Sequence, residues 1–236
     1  MKHLLLEQGT TEWHQARLGI PTSSCFAKIV TPTGKLSAQS RDYRHELLAE
    51  WLFQSPLEQC EGEWMIHGNE YEGQAASAYE FAKDVTVEPG GFFTTDDGMV
   101  GSSPDRLVSF DGLLEIKCPK ANTHVGYMLA KGVDEKYKCQ VQGQLWVCER
   151  ENLDIVSYCP GLPTVIVPVS RDEEFIAVLS NSVGMFVDTL LESRLQLTRD
   201  FGVCPKERKA AADVDEERAI DEEVAAILAI REGSAL

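Results

Sequence analysis

The sequence predicts a mixed α/β fold in which a central mixed β-sheet is flanked by helices. Two apolar runs, at residues 107–110 and 113–116, flank Asp111-Gly112. That pair suits the positive φ of a tight turn, so the runs are expected to form a β-hairpin. Apolar side chains at helical spacing elsewhere in the chain, and further β segments after them, supply the helices and the remaining strands.

The predicted elements follow one another along most of the chain. Tyr43, Leu47, Leu48, Trp51 and Leu52 lie at helical spacing and predict one buried stripe, with Trp51 in the core. Ser170-Arg171-Asp172-Glu173 has the pattern of a capping box and should open a long helix. Helices are expected at residues 11–18, 22–30, 41–53, 136–148 and 170–195, and one more helix begins near Glu72 and ends at about residue 82. Residues 121–133 should form a helix or a loop, and β segments are expected at 153–159 and 164–169.

Length and charge divide the chain into two parts. The 236 residues suit one domain at residues 1–200, followed by an acidic C-terminal extension at residues 201–236 that carries a helix. Seven acidic residues fall between Asp213 and Glu223, so part of the net charge of −16 lies in this extension. A protein that binds phosphates uses Lys and Arg, so any DNA contact is expected to be a local basic lining within a repelling exterior.

Cysteine spacing and hydropathy exclude several classes of protein. Seven cysteines include no C-x-x-C pair, which argues against a zinc site, a disulfide framework and an iron-sulfur cluster. No unbroken apolar run reaches the roughly 20 residues of a membrane span, and the N-terminus lacks the apolar region of a signal peptide. The cytoplasm of a bacterial or phage-infected cell is the expected location.

The predicted hairpin brings two acids and a lysine together. Asp105 lies at the start of one strand, and Glu115 and Lys117 lie near the end of its partner, with Ile116 turned into the core. Carboxylates, together with the Ile116 carbonyl, are the oxygen ligands that Mg²⁺ or Mn²⁺ prefers. Lys117, as an ammonium or as a neutral amine, could then orient water and stabilise charge on a phosphate. The alternative interpretation is an exposed ion pair between Glu115 and Lys117.

Four separated motifs favour the nuclease interpretation. They are Trp13-His14-Gln15-Ala16-Arg17-Leu18-Gly19, Gly68-Asn69-Glu70-Tyr71-Glu72, Ser103-Pro104-Asp105 with the Leu114-Glu115-Ile116-Lys117-Cys118-Pro119 strand, and Cys139-Gln140-Val141-Gln142-Gly143-Gln144-Leu145-Trp146. In this order, over about residues 7–195, they resemble the lambda-exonuclease family of YqaJ-like viral recombinases and alkaline exonucleases, within the PD-(D/E)xK nuclease superfamily. The resemblance implies a restriction-endonuclease-like core.

The resemblance also assigns roles to single residues. It implies that Asp105, Glu115 and the Ile116 carbonyl hold two Mg²⁺ ions, for which Mn²⁺ can substitute. The catalytic residues that it implies are Asp105, Glu115, Lys117, Glu72 and Gln140, with Glu72 contributing to the metal site directly or indirectly. The residues that it implies for binding a terminal 5′-phosphate are Arg17, Ser24 and Ser103.

The expected function is that of a metal-dependent exonuclease on linear double-stranded DNA. By resemblance it digests the 5′-ended strand and leaves 3′ overhangs for recombination, as a ring-shaped homotrimer beside a single-strand annealing protein. Two alternatives stay open at this stage. One is a non-enzymatic acidic DNA mimic or interaction protein, suggested by the net charge, and the other is an endonuclease of the same superfamily.

Overall fold

The computed structural model describes residues 1–57 and 63–205, and it describes side chains outside residues 63–70. The predicted acidic C-terminal helix and most of the extension therefore lie outside the described residues. The helices are α1 (Thr11–Arg17), α2 (Ser40–Phe53), α3 (Glu63–Lys83), α4 (Ala121–Ala130), α5 (Lys138–Val147) and α6 (Glu173–Phe201), with 3₁₀ helices at Ser23–Lys28 and Glu135–Tyr137. The strands are β1 (Lys2–Leu4), β2 (Val87–Pro89), β3 (Phe92–Thr94), β4 (Gly101–Ser102), β5 (Arg106–Val108), β6 (Gly112–Lys117), β7 (Asn152–Ser157) and β8 (Val165–Ser170).

The central sheet has five strands in the order β2-β5-β6-β7-β8. Strands β6 and β7 are parallel and the other neighbours are antiparallel, so the sheet is mixed. A smaller antiparallel sheet contains β1, β3 and β4. The predicted fold class, a mixed sheet flanked by helices, is confirmed.

Both faces of the central sheet are covered by helices. On one face, Leu113 and Leu153 pack into the main core with buried side chains of α2, α5 and α6. On the other face, Leu114 and Ile116 pack against α3. Because successive residues of a strand point to opposite faces, Glu115 points with Leu113 towards α5, and Ile116 points away from it, as the sequence predicts.

The β5–β6 hairpin differs from its prediction in its turn. Val108 pairs with Gly112, so the loop contains Ser109, Phe110 and Asp111. The residue with positive φ is Ser109, at 53°. The reason for the change is burial, since this register places Leu107 directly opposite Leu113, and both are buried. Packing of the apolar face therefore prevails over the turn preference of Asp111-Gly112.

Helix boundaries also differ from their predictions at several ends. Thr10 caps α1 in place of Thr11, and Asp172 caps α6 in place of Ser170, because each accepts a hydrogen bond from the backbone N–H three residues later. The predicted helix at residues 22–30 is a 3₁₀ helix over Ser23–Lys28. Trp51, predicted to be core, is half-buried and lies under the Arg194 guanidinium.

Helix α6 is a core helix. By length and composition it is the single helix of the described residues that could cross a membrane, even though the sequence contains no unbroken apolar run of that length. One of its faces is buried in the main core, and the residues on that face are Phe175, Ile176, Leu179, Val183, Phe186, Val187 and Leu190. Burial of such side chains stabilises the fold by about 1.5–3 kcal/mol each.

Two close contacts fix the elements around the site. Gly143 of α5 faces Phe26 of the first 3₁₀ helix, and a Cβ at this position would lie 2.4 Å from the Phe26 ring. The missing side chain therefore lets α5 and the 3₁₀ helix approach closely. On the other side of the site, the buried His124 ring of α4 is hydrogen-bonded to Ser157 Oγ at 2.7 Å and to the Pro163 carbonyl at 2.9 Å. These contacts anchor α4 to the sheet directly after the end of β6.

Candidate active site

The hairpin register places Asp105 and Glu115 on the same face of the sheet. The paired residues of β5 and β6 end at Arg106 and Leu114, and continuing this register by one residue places Asp105 opposite Glu115. Residues directly opposite each other in an antiparallel pair point to the same side. Asp105 is also tied to β6 itself, because its Oδ2 accepts a hydrogen bond of 2.6 Å from the Ile116 backbone N–H. The structure therefore brings the two predicted carboxylates together.

Glu115 is a buried carboxylate held by three donors. Its side chain is 3% exposed. Lys117 Nζ and Gln140 Nε2 both donate to Oε1, each at 2.5 Å, and Gln144 Nε2 donates to Oε2 at 2.5 Å. Three such hydrogen bonds fix the orientation of the carboxylate. The pair therefore joins a buried Glu115, oriented by α5, to a half-buried Lys117, unlike the exposed ion pair of the alternative interpretation.

Lys117 lies between the carboxylates and an aromatic ring. Its Nζ also donates to Gln140 Oε1 at 3.3 Å and lies 5.0 Å from the centre of the Tyr137 ring. Burial lowers the pKa of the ammonium, but the charges of Glu115 and Asp105 outweigh burial, so the pKa of Lys117 lies above its usual value. Of the two forms considered from the sequence, the structure favours the charged ammonium.

The surroundings of the Asp105 carboxyl disfavour its ionised form. Burial, with the negative charges of Glu115 and Glu72 added, holds the pKa of the Asp105 carboxyl well above its usual range, although Lys117 and the Ile116 N–H act in the opposite direction. Two converging carboxylates in a buried site suit a hard divalent cation, which would favour the ionised form. The donor set of Asp105 and Glu115 thus fits Mg²⁺ or Mn²⁺. A metal-binding group of three or more His, Cys, Asp or Glu side chains does not occur within residues 1–57 and 63–205, whether at this pair of carboxylates or elsewhere.

Glu72 is turned towards Arg106, beside Asp105. Arg106 Nη1 donates to Glu72 Oε1 at 2.6 Å and to the Asp105 carbonyl oxygen at 2.6 Å. This ion pair connects α3 to the start of the catalytic hairpin. Glu72 therefore influences Asp105 in two ways, by its negative charge and through the Arg106 side chain that both residues contact. The assignment of Glu72 to the metal site stays a prediction. The prediction that the Ile116 carbonyl is a ligand also stays open.

A second polar cluster lies two residues before Asp105. Ser103 Oγ accepts hydrogen bonds from Trp13 Nε1 at 2.9 Å and from Arg17 Nη1 at 3.1 Å. Because both lone pairs of this oxygen are engaged, the Ser103 hydroxyl proton is available to a further acceptor. The Arg17 guanidinium carbon lies 4.1 Å above the Trp13 ring, as expected for residues one helical turn apart.

Arg17 donates hydrogen bonds to neutral groups only, among the described residues. Its Nη2 donates to Thr22 Oγ1 at 3.3 Å, and Thr22 Oγ1 lies 3.3 Å from Ser24 Oγ, so a chain of polar groups connects Arg17 to the exposed Ser24. Burial lowers the pKa of the Arg17 guanidinium. A half-buried cation that no described carboxylate pairs with is a favourable place for an anion.

Several residues of the two clusters were not assigned from the sequence. Thr22, Arg106, Tyr137 and Gln144 contact predicted site residues. The sequence does indicate Gln144, because it lies one helical turn after Gln140 and on the same face of the predicted helix. Arg106 and Tyr137 depend on contacts between distant segments, and Thr22 on the local path of the chain between Arg17 and Ser24, neither of which spacing along the chain indicates.

The fold and this site are those expected of a nuclease, and comparisons with known proteins identify the family. The family model of the YqaJ-like viral recombinase domain matches residues 12–151. The chain is 30% identical to an alkaline exonuclease from Laribacter hongkongensis, LHK-Exo, whose crystal structure superposes with a TM-score of 0.75, covering 81% of this chain and 97% of that one. The chain belongs to the YqaJ-like viral recombinase family and is an exonuclease of this alkaline exonuclease group.

Other comparisons agree at the level of the fold. A second structure of LHK-Exo, in complex with dAMP, superposes with a TM-score of 0.74. A phage-related exonuclease from Haemophilus somnus is 17% identical, with a TM-score of 0.59 over 74% of this chain and 96% of that one. No curated protein sequence matches the chain.

Proposed function

We propose that the protein is a divalent-metal-dependent exonuclease that acts on linear double-stranded DNA, digests the 5′-ended strand and leaves 3′ single-stranded overhangs for recombination by strand annealing. The observation that carries this proposal is the arrangement of Asp105, Glu115 and Lys117 on one face of the sheet. Exonuclease activity follows from the family, whereas the metal, the duplex substrate and the strand polarity are proposals.

The proposed division of work follows from the contacts in the site. Asp105, Glu115 and the Ile116 carbonyl would hold Mg²⁺ or Mn²⁺, two ions in the full complex. Such ions lower the pKa of water and neutralise charge at the attacking and leaving oxygens of a phosphodiester. The Lys117 ammonium, kept protonated by its two acidic neighbours, supports negative charge that develops on the phosphate. Gln140, hydrogen-bonded to both Glu115 and Lys117, keeps this pair aligned.

The cluster around Arg17 supports the choice of a 5′-phosphorylated end. Arg17 contacts Ser103, which lies only two residues before Asp105, so a phosphate held there would lie close to the hydrolytic site. A guanidinium and two hydroxyl groups can all donate to one dianion. Anchoring the terminal phosphate of the 5′-ended strand at Arg17, Ser24 and Ser103 would leave the neighbouring phosphodiester near Asp105 and Glu115.

Arg17→Ala is expected to remove a preference for 5′-phosphorylated ends. The test uses matched duplexes that carry a 5′-phosphate or a 5′-hydroxyl on the digested strand. Wild type should favour the phosphorylated end by about 1–3 kcal/mol, the range of hydrogen bonds to charged groups. Arg17→Ala should lose most of that difference, measured as the ratio of kcat/KM values for the two duplexes.

A matched control is Arg194→Ala. Arg194 is also half-buried, and burial also lowers the pKa of its guanidinium, but it donates to the Gly19 carbonyl and lies over Trp51. This variant should keep the preference for the phosphorylated end. Equal rates of wild type on both ends, or an undiminished preference in Arg17→Ala, would remove Arg17 from the proposed phosphate site.

The charge distribution supports entry of DNA at the end of β6. The chain as a whole carries a net charge of −16, which repels duplexes that approach at arbitrary places. Helix α4, directly after the catalytic strand, is bounded by Lys120 and Lys131, and both are exposed. An exposed lysine only three residues after Lys117, within an acidic exterior, suits steering of the substrate to one place.

The proposed assembly is a ring-shaped homotrimer that works in the cytoplasm beside a single-strand annealing protein. This proposal rests on the resemblance to the family and on the acidic exterior, which disfavours binding of DNA from the side. Light scattering at working concentration should therefore give three times the 26.2 kDa mass of the chain, and digestion should be processive. A monomer that releases its product after each cut would contradict it.

A further inference from the structure

We propose that Gln144 is a positioning residue that orients Glu115 and reserves one of its oxygens for the divalent cation. Gln144 lies on α5, is fully buried, and donates from Nε2 to Glu115 Oε2 at 2.5 Å. This role rests on the metal dependence proposed above. It extends that proposal because Gln144 would touch neither the substrate nor the cation, and would act through Glu115 alone.

The hydrogen bonds around Glu115 distinguish its two oxygens. Oε1 accepts from both Lys117 Nζ and Gln140 Nε2, which engages its two lone pairs. Oε2 accepts from Gln144 alone among the described residues, so one lone pair of Oε2 remains for another partner. A carboxylate held by three donors cannot rotate without losing several of these bonds. The geometry therefore leaves Oε2 as the oxygen available to a cation.

The unsatisfied side of the Gln144 amide supports a functional reason for this residue. Gln144 Oε1 is buried and has no hydrogen-bond partner. The opposite orientation of the amide would place this oxygen against Oε2 of Glu115, and two acceptors repel each other, so the amide orientation is determined. A buried acceptor without a donor is costly, and an apolar side chain of the same size would avoid that cost. Gln144 is therefore retained at some expense of stability, and its amide N–H is directed at Glu115 Oε2.

Gln142 provides a matched control on the same helix. It is 4% exposed, donates to the Ser170 carbonyl at 2.9 Å and accepts from the Asp172 backbone N–H at 2.9 Å. Gln142 thus connects α5 to the start of α6, and it makes none of its hydrogen bonds to Asp105, Glu115 or Lys117. Replacing either glutamine with methionine, which has a similar length, removes one buried amide from α5.

The experiment measures Mn²⁺ binding by calorimetry with wild type, Gln144→Met and Gln142→Met. Removing a residue that orients a metal ligand typically weakens metal affinity by about 10–100-fold. Gln144→Met should show such a loss, and Gln142→Met should bind Mn²⁺ as wild type does. The hydrolysis rate of Gln144→Met should recover at raised Mn²⁺ concentration, whereas a variant that is merely less stable would not be rescued in this way.

The outcomes separate this inference from the function on which it rests. Unchanged Mn²⁺ affinity in Gln144→Met, with an active wild type, overturns the role of Gln144 and leaves the proposed function standing. A wild type that binds no divalent cation overturns both. If Gln144→Met does not fold, a crystal structure of the wild type with Mn²⁺ tests the role of Gln144 instead. The ion should lie on Oε2 of Glu115 with Gln144 still bonded, and an ion on Oε1 or a displaced Gln144 amide contradicts the inference.

Discussion

Asp105→Ala and Glu115→Ala are each expected to abolish hydrolysis of DNA while the fold is kept. Each variant removes an oxygen ligand of the proposed cation site, which supplies several kcal/mol of transition-state stabilisation, and each loss of about 1.4 kcal/mol slows the reaction about tenfold. Asp105→Ala should change the free energy of unfolding of the metal-free protein little, because it removes a carboxyl whose ionised form burial disfavours but also leaves the Ile116 N–H without its acceptor. Glu115→Ala should cost about 1–3 kcal/mol, since three donors lose their acceptor.

A matched control for these variants is Asp154→Ala. Asp154 lies on the neighbouring strand β7, where its carboxylate accepts from Tyr79 at 2.8 Å and pairs with Lys83 at 3.0 Å. Its removal should lower stability and leave hydrolysis close to the wild-type rate. Rates on linear duplex in Mg²⁺, with circular dichroism and thermal melts of all three variants, check these expectations. A near wild-type rate in either Asp105→Ala or Glu115→Ala would mean that the cation site is assigned wrongly.

Lys117→Ala is expected to reduce the rate of hydrolysis by about 10²–10³-fold, the loss typical of one positioned charge-stabilising group. Binding of DNA and of the cation should stay largely intact, because Gln140 still holds Oε1 of Glu115 and Gln144 still holds Oε2, the oxygen proposed for the cation. Single-turnover rates and equilibrium binding of duplex, both measured in the same buffer, separate the two effects.

Lys136→Ala is the matched control for Lys117→Ala. The Nζ atoms of both lysines lie 5.0 Å from the centre of the Tyr137 ring, but Lys136 is exposed and pairs with Asp134. Lys136→Ala should hydrolyse DNA at close to the wild-type rate. Should Lys117→Ala lose binding and hydrolysis in equal proportion, Lys117 would be a simple phosphate contact.

The sequence predicted the strands of the hairpin but not its register. A two-residue turn at Asp111-Gly112 would place Asp105 opposite Cys118, and therefore on the face away from Glu115. The observed three-residue loop shifts the pairing so that Asp105 follows the Arg106–Leu114 pair and shares the face of Glu115. A change of register by an odd number of residues reverses every face. Local turn preference could not decide this, because it depends on burial of Leu107 and Leu113 between distant elements.

The partners of the site residues were harder to predict than the residues themselves. Asp105, Glu115, Lys117 and Gln140 come together, although Asp105 does so through the observed register and not through the predicted turn, and Gln140 faces the hairpin from α5. The pairing of Glu72 with Arg106 joins segments 34 residues apart. Nothing in their spacing indicates such a contact. Thr22 likewise joins Arg17 to Ser24 only because the chain there forms a tight 3₁₀ helix.

The most direct test of the hydrolytic site is the release of nucleotides from linear duplex DNA and from covalently closed circular DNA of the same sequence, in Mg²⁺ and in a chelator. We expect the wild-type protein to release mononucleotides from the linear duplex in Mg²⁺ only, and to leave the circular DNA intact. Cleavage of the circle would indicate an endonuclease. Absence of hydrolysis from either DNA in Mg²⁺ or Mn²⁺ would contradict the assignment of Asp105, Glu115 and Lys117 as a metal-dependent nuclease site.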